Sequence, residues 1–326
     1  MQATLTAWSI RRYGGPEQLV AVERPMPVPG PTEVLIRVHA SAVTRADGMM
    51  RAGLPRFSRP FLGLRRPRND LSGTGLSGVV IAAGADVTRF AVGDAVFGEA
   101  GLRFGANASH ICLDEGGVLL RKPESLSHEQ AAVMCDGPLT SWHFLRNLGE
   151  LRAGERVLIL GGSGSLGSAA VQIAADLGAE VTATSSARNA GLVADLGAAR
   201  VIDYTREDFR EDGRRYDVIF DTIGVSSFAA ARGSLGRAGR YLCPVLTPGL
   251  LVSVLRTSLF GRREARFAAA GLQAPEKLRA MLAELLAMVE AGTLAPVLDR
   301  VYPLSDLAEA HRYMEAGHKR GNVVLA

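Results

Sequence analysis

Residues 156–175 read Arg156-Val157-Leu158-Ile159-Leu160-Gly161-Gly162-Ser163-Gly164-Ser165-Leu166-Gly167-Ser168-Ala169-Ala170-Val171-Gln172-Ile173-Ala174-Ala175. An apolar strand runs into Gly162-x-Gly164-x-x-Gly167, and an amphipathic helix opens directly behind it. Such glycines serve separate ends. One permits a tight turn, one lets a pyrophosphate reach bare backbone, and one lets the helix pack close to the strand. The N–H groups and positive dipole end of the helix then face the phosphates, with Ser163, Ser165 and Leu166 completing the loop. A glycine turn of purely structural use is the alternative. The order strand, loop, helix and then a further strand at Glu180 to Ser185 favours a dinucleotide-binding βαβ unit.

The 326 residues leave room for two domains with separate cores. Hydrophobic residues at 47% and charged residues at 21% exclude a disordered or fibrous chain. No uninterrupted apolar run approaches the roughly 20 residues needed to span a bilayer, so no membrane partner is expected. Within Met1 to Gly15 the arginines follow the apolar residues, the reverse of a secretory signal, and a cytoplasmic location is expected. The three cysteines (Cys112, Cys135, Cys243) are odd in number and far apart, which implies no disulfide framework.

A net charge of +4 raises the question of nucleic acid. Only three lysines occur (Lys122, Lys277, Lys319), so the positive charge is almost all arginine. The densest cluster, Arg56, Arg59, Arg65, Arg66 and Arg68, sits in a proline-punctuated stretch with little aromatic interleaving beyond Phe57 and Phe61. No nucleic-acid module surrounds it. It reads as a solvated or substrate-flanking loop, and no nucleic-acid partner is expected.

From Leu5 to about Lys122, short alternating strands (34–38, 78–81, 95–97, 109–112) with glycine and proline turns predict a small β-barrel. After Pro123 the character changes. Ser127 caps a helix from His128, with Gln130 closing a capping box. Strands are then predicted at Arg156–Leu160, Glu180–Ser185, Val201–Asp203, Tyr216–Asp221 and Arg240–Val245, with helices between. That is a doubly wound parallel α/β sheet. A helix over Pro275–Ala291 buries Leu278, Met281, Leu282, Leu285 and Met288, and the tail 297–326 offers strand, short helix and strand. The expected division is 1–122 with 273–326 as one domain and 123–272 as the dinucleotide-binding domain.

Further stretches carry a family resemblance. They are Tyr13-Gly14-Gly15-Pro16-Glu17, Val38-His39-Ala40-Ser41-Ala42-Val43, Gly137-Pro138-Leu139-Thr140-Ser141-Trp142, the glycine loop, Val201-Ile202-Asp203-Tyr204, the run Tyr216 to Gly224, and Tyr302-Pro303-Leu304 with Gly321-Asn322-Val323-Val324. Together they resemble the medium-chain dehydrogenases/reductases, in the zinc-free quinone oxidoreductase (zeta-crystallin-like) branch. The resemblance spans essentially the whole chain. It implies a GroES-like barrel plus a Rossmann domain, an active site in the cleft between them, and a homodimer.

Zinc members of that family hold the metal through a cysteine, a Gly-His-Glu pair and a later Cys or Asp. Here those positions read Thr44, Gly73-Thr74-Gly75 and Cys135-Asp136, too few ligands for a catalytic site, and no metal is expected. The histidines (39, 110, 128, 143, 311, 318) show no ligand spacing. Ser163 is no hydrolase nucleophile, because the Gly-x-Ser-x-Gly elbow fails at Ser165.

At the end of the second strand an NAD-preferring site carries an acid for the ribose hydroxyls. This chain has Thr184-Ser185-Ser186-Ala187-Arg188. Ser186 and Arg188 suit a 2′-phosphate, so NADPH is the expected cofactor. An Arg188 that merely starts a helix in solvent is the alternative. By resemblance Tyr204 adds a phosphate contact, and Thr140 with Thr222, Ile223 and Gly224 lies near the nicotinamide. Asn322, where the family usually has Lys after Gly, belongs to the same groove.

Without a metal, a conjugated acceptor needs less help than an alcohol, because hydride yields a delocalised anion. The expected reaction is NADPH-dependent reduction of a quinone or an α,β-unsaturated carbonyl, a small electrophile. Thr44 is the candidate to hydrogen-bond the carbonyl oxygen. Asp47 is a candidate for proton handling or, equally, a structural salt bridge to an arginine. A pathway-specific enoyl or ketone reductase remains open, as does a non-catalytic NADPH-binding sensor or scaffold.

Overall fold

The computed structural model describes residues 3–317 and 319–326, so His318 lies outside the described residues. In chain order the first strands are β1 (Thr4–Ile10), β2 (Leu19–Pro25), β3 (Glu33–Val43), β4 (Gly75–Ala83), β5 (Ala95–Glu99), β6 (His110–Asp114) and β7 (Val118–Arg121). Then follow β8 (Arg156–Leu160), β9 (Glu180–Ser185), β10 (Arg200–Asp203), β11 (Tyr216–Asp221), β12 (Leu235–Leu242) and β13 (Glu264–Arg266). The tail adds β14 (Leu298–Tyr302) and β15 (Asn322–Leu325).

The chain forms two compact units. One comprises Met1–Asp136, Ala274–Ala283 and Leu298–Ala326; the other comprises Gly137–Gln273 and Glu284–Val297. In the first, β1 and β2 make an antiparallel hairpin, and seven strands run β14-β15-β3-β4-β5-β7 with β6 paired to β3. Alternating apolar residues of β3, β4 and β5 (Val34, Ile36, Leu76, Val80, Val96) fill its core. The predicted return of the tail holds: β15 pairs antiparallel with β3, Val323 opposite Val43. In the second unit, six strands run β10-β9-β8-β11-β12-β13, all parallel, the doubly wound order.

Four of the five predicted parallel strands stand where the apolar runs put them. The fifth begins at Leu235, five residues before its predicted start at Arg240, and ends at Leu242. Gly236 and Gly239 hide it in the sequence, and the register slips between Tyr216 and Val218 where it pairs with β11. A sixth strand, β13, lies in the polar stretch after Arg263, where the sequence offered no strand signal.

The unit boundary falls at Asp136, beyond the expected 122. The helix His128–Ala132 belongs with the barrel because Ala132 and Val133 pack with Ala40, Ala42 and Val324. His128 Nδ1 lies 2.8 Å from Ser77 Oγ, and its ring stacks on His39. Its capping box is present as predicted, Ser127 Oγ accepting from the Gln130 N–H and Gln130 Oε1 from the Ser127 N–H. Residues 284–297 go with the other unit, where Gln172 exchanges two hydrogen bonds with the Ala295 backbone. The division falls inside the helix Pro275–Glu290, whose five predicted apolar positions are all buried.

One polar group in the barrel unit is poorly served. His311, on the helix Leu307–Glu315, is fully buried, and both ring nitrogens lack a partner among the described residues. Burial, and then the Arg51 charge, push its pKa down to about 3. Arg51 itself is buried, donating to Gly14 O at 2.6 Å and pairing with Glu315. A base held neutral by the fold stabilises it above its ordinary pKa near 6.5, and that contribution is lost as pH falls toward 3. His311→Leu is expected to raise stability at neutral pH by about 1–2 kcal/mol and to flatten the loss between those pH values. Urea unfolding across pH measures both; a less stable variant at pH 7 would mean the ring has a polar partner after all.

Candidate active site

The glycine loop follows the carboxyl end of β8. Gly161 takes the tight turn, with φ +83°, one residue before the Gly162-x-Gly164-x-x-Gly167 pattern begins. Its N–H donates to Thr184 Oγ1 at 3.0 Å, and the Gly162 N–H donates to Thr184 O at 2.8 Å, so β9 fixes the turn. A Cβ on Gly167 would lie 2.0 Å from Gly161 O, and one on Gly162 would lie 2.8 Å from Ala183 Cβ. Gly164 is different: a Cβ there meets nothing nearer than 3.6 Å. It caps the helix Ser165–Asp176 with no side-chain bond to the first turn, whose N–H groups have no intrahelical acceptor. Bare backbone, open space and a helix N-terminus therefore coincide at 164–167, the setting a pyrophosphate requires.

Two segments close on this loop. The helix Gly137–Trp142, carrying half-buried Thr140, lies so near that a Cβ on Gly137 would stand 2.6 Å from Ser165 O. Ser141 Oγ donates to Leu166 O at 2.8 Å. On the other side, Thr222 Oγ1 donates to Leu160 O at 2.7 Å, and the Ile223 side chain occupies the space beside Gly161. The turn after β11 is organised by Asp221, a fully buried carboxylate. It accepts from the N–H groups of Gly224 (2.7 Å), Val225 (3.2 Å) and Ser226 (2.8 Å) and from the Tyr241 hydroxyl (2.8 Å). Burial and the Asp221 charge push the Tyr241 pKa upward, so the hydroxyl stays a donor. Gly224 takes φ +71°, which the turn requires. The sequence pattern pointed to this turn but not to the Asp221–Tyr241 pair, whose members lie on neighbouring strands.

Beyond β9, Ser186 and Arg188 lie on the exposed side of a short turn, and Tyr204, 55% exposed, follows β10 with its N–H donating to Ser185 O. A cavity of about 680 Å³ opens here, bordered by Leu160, Thr184, Tyr204, Arg206 and Ser226 at the carboxyl ends of the strands. Asn189, buried behind it, donates to Ser163 Oγ and ties this segment to the glycine loop.

The barrel unit gathers the other three candidates. Thr44 caps the helix Arg45–Ala52 in a reciprocal box: its N–H and hydroxyl donate to Asp47 Oδ2 at 2.9 and 2.7 Å, and the Asp47 N–H donates to Thr44 Oγ1 at 3.1 Å. As found, Thr44 has no hydroxyl proton to spare while Asp47 is ionised, and Asp47 makes this cap. The Val323–Val43 register sets buried Asn322 next in line opposite Thr44.

Asp47 is 1% exposed, and its Oδ1 has no partner among the described residues. Burial, and to a smaller degree the Asp136 charge, hold its pKa at about 7 against the Thr44 hydrogen bonds. Glu99 is also raised to about 7 by burial and Asp136. Nearby, burial pushes Lys319 down while Asp136 and Asp299 hold it up; its ammonium donates to Gly321 O at 2.5 Å. Lys319 was not singled out from the sequence, although a lysine in so arginine-rich a chain was a signal.

Models of two families match, the alcohol dehydrogenase GroES-like domain over residues 30–124 and a zinc-binding dehydrogenase over 196–325. A quinone oxidoreductase of Pseudomonas aeruginosa is 33% identical across 96% of this chain and 97% of its own length. The chain belongs to the medium-chain dehydrogenase/reductase superfamily. The mouse mitochondrial NAD(P)H oxidoreductase RTN4IP1 is 31% identical over 98% of this chain and 89% of that protein. The Escherichia coli quinone oxidoreductase solved in complex with NADPH superposes with a TM-score of 0.85 at 25% identity, covering 98% and 99% of the two chains.

Among the described residues of this medium-chain dehydrogenase/reductase, no donor set fits the zinc in the second family's description. The described residues contain no group of three or more His, Cys, Asp or Glu arranged to hold a metal ion. Gly75 stands where the zinc members have Glu, and a Cβ on it would lie 2.6 Å from Ala132 O, leaving no room for a metal-binding side chain. No step is routed through zinc.

The loop geometry separates two glycines by experiment. Gly167→Ala forces a methyl against a backbone carbonyl and is expected to cost about 1–3 kcal/mol of stability as well as dinucleotide affinity. Gly164→Ala has space and an ordinary φ, so stability should stay within about 0.5–1 kcal/mol while affinity falls. Equal loss of stability in both, by thermal unfolding, would contradict the assignment of open space at 164.

Proposed function

We propose that this chain transfers hydride from NADPH to a quinone or an α,β-unsaturated carbonyl without a metal. The observation that carries the cofactor half is the glycine loop Gly161–Gly167, with open space at Gly164 and close contacts at Gly161, Gly162 and Gly167. Residues 163–167 hold the pyrophosphate, and Ser186, Arg188 and Tyr204 take the 2′-phosphate. Thr140 and the Thr222–Gly224 turn flank the nicotinamide, and Asn322 belongs to the same cofactor groove. The NADPH complex of the Escherichia coli relative supports the choice of nucleotide. When bound, NADPH supplies the hydride.

The substrate half rests on what the chain does not offer. Among the described residues no ligand set holds a metal that could polarise an alcohol or simple ketone, which favours an acceptor that stabilises its own anion. Thr44 and Asp47 do the remaining work as a coupled pair. With Asp47 protonated, the carboxyl O–H donates to Thr44 Oγ1, and the Thr44 proton turns to the acceptor oxygen. With Asp47 ionised, that proton is held at Oδ2 and the acceptor loses its donor. The same pair then passes a proton to the reduced product.

Two measurements test the reading. Arg188→Glu is expected to lower the ratio of kcat/KM for NADPH over NADH by at least about tenfold, since a charge-assisted hydrogen bond is worth about 1.5–3 kcal/mol. An unchanged ratio would discard the 2′-phosphate assignment. In the wild-type enzyme, kcat on a quinone or enone should fall as pH rises through about 7, the Asp47 value. Asp47→Asn, which removes the titrating carboxyl, should abolish that limb. An alkaline limb that survives in Asp47→Asn would remove the pair from the mechanism.

A further inference from the structure

The chain's three lysines are placed differently. Lys277 is exposed. Lys122 donates to the carbonyls of Pro123 and Leu126, at 3.0 and 2.6 Å, within the loop after β7. Lys319 is half-buried just before β15 and donates to one acceptor, Gly321 O at 2.5 Å. Gly321 takes φ +63°, a left-handed conformation that favours glycine, and its carbonyl meets the lysine two residues earlier. The other two N–H groups of the ammonium have no partner among the described residues.

An ammonium with unused donors stands here in acidic surroundings. Burial opposes its charge, while Asp136 and Asp299 favour it. Neither carboxylate forms an ion pair with it among the described residues. Asp299 is engaged elsewhere, accepting from the Tyr313 hydroxyl at 2.7 Å and the Arg320 N–H at 3.0 Å. Asp136 is also the charge felt by Asp47 and Glu99. The two carboxylates therefore keep the lysine protonated without occupying its donors. A lysine retained for an ion pair would close on one of them.

Its place in the barrel unit gives those donors a use. β15 runs antiparallel to β3 with Val323 opposite Val43, which sets Asn322 opposite Thr44 and Gly321 next beyond. The ammonium on Gly321 O thus lies toward the N-terminal end of the helix Arg45–Ala52, where Thr44 and Asp47 form their cap. Thr44 and Asp136 stand at two of the positions through which zinc members of the superfamily hold the metal. Lys319 brings a positive charge to the same surroundings.

We infer that the Lys319 ammonium is the anion-holding group of this site and takes the negative oxygen of the reduced acceptor. The inference rests on the hydride-transfer reading above and adds a cation to it. Hydride addition to the electron-poor carbon of the acceptor moves an electron pair onto its carbonyl oxygen. The unused N–H groups meet that oxygen in charge-assisted hydrogen bonds, and Lys319 stays protonated throughout. The proton that completes the product comes from Asp47 through Thr44. A carbonyl oxygen carries little charge before reduction, so the ammonium acts mainly on the transition state and the anion.

A phenol tests the ammonium without turnover. 4-Nitrophenol changes its visible absorbance on ionisation, and its phenolate resembles the anion of a reduced quinone. It is added to the full chain with NADP+, which has no hydride to give. On binding, its pKa is expected to fall by at least about one unit, a tenfold preference for the phenolate. Lys319→Met and Lys319→Gln should remove the shift, and Lys319→Arg should keep it. In steady state, Lys319→Met is expected to lower kcat/KM on a quinone or enone by about tenfold to a hundredfold, mostly through kcat. Lys319→Arg should recover most of that loss. Circular dichroism and unchanged NADPH affinity check the fold of each variant. Wild-type protein that leaves the phenol unbound or unshifted overturns the inference. So does a shift, or a full kcat/KM, that survives in both neutral variants. A shift lost with the lysine, in a protein that reduces neither acceptor class, would keep Lys319 as the anion-holding group and discard the hydride-transfer reading instead.

Discussion

The carbonyl oxygen of Gly161 sits where a side chain at position 167 would begin, 2.0 Å from that absent Cβ. This contact lets the helix Ser165–Asp176 start almost on top of the turn that ends β8. It thereby turns the first N–H groups of the helix toward open space at Gly164. Thr184 holds the turn from β9, Ile223 fills its other flank, and the Gly137 helix packs on its far side. Each neighbour approaches one short loop closely, and at Gly137 and Gly167 the contact is with backbone that cannot give way to a side chain.

The barrel unit carries a different device. There the physical agent is burial acting on carboxyl groups that share Asp136 as a neighbour, which brings Asp47 and Glu99 to about 7. Asp47 is at once a helix cap and a group that exchanges its proton near neutrality. The two properties pull against each other, because an ionised cap holds Thr44 and a protonated one releases it. Above about 7 the fold carries the cost of a buried charge, so the stability that protonated Asp47 contributes at acidic pH is lost as pH rises through that value.

Much of this architecture was legible in the residues. Apolar runs bounded by glycine located the first four parallel strands, and a Ser-x-x-Gln spacing gave the cap at Ser127. What escaped was non-local. β12 was hidden because Gly236 and Gly239 interrupt its apolar pattern, and its start is set by pairing with β11. β13 is three residues of alternating charge that become a strand only because β12 offers an edge. The helix His128–Ala132 reads as the start of the second domain until Ser77 and His39 are seen against it. At the site, the glycine pattern told which residues approach a phosphate. No spacing rule reveals that Thr44 and Asp47 occupy each other's hydrogen bonds, or that Asp221 and Tyr241 meet across two strands.

That last pair gives the turn at 223–226 a collective character. One carboxylate gathers its amide hydrogens, so the turn has a single latch and opens as a whole or not at all. Amide hydrogens of Gly224, Val225 and Ser226 should then exchange with solvent at one common rate, set by how often Asp221 lets go. Because Ile223 leans on Gly161, each opening also withdraws one wall of the phosphate loop. Tyr241, far along the chain and buried, thus holds a timing control over a loop it never touches.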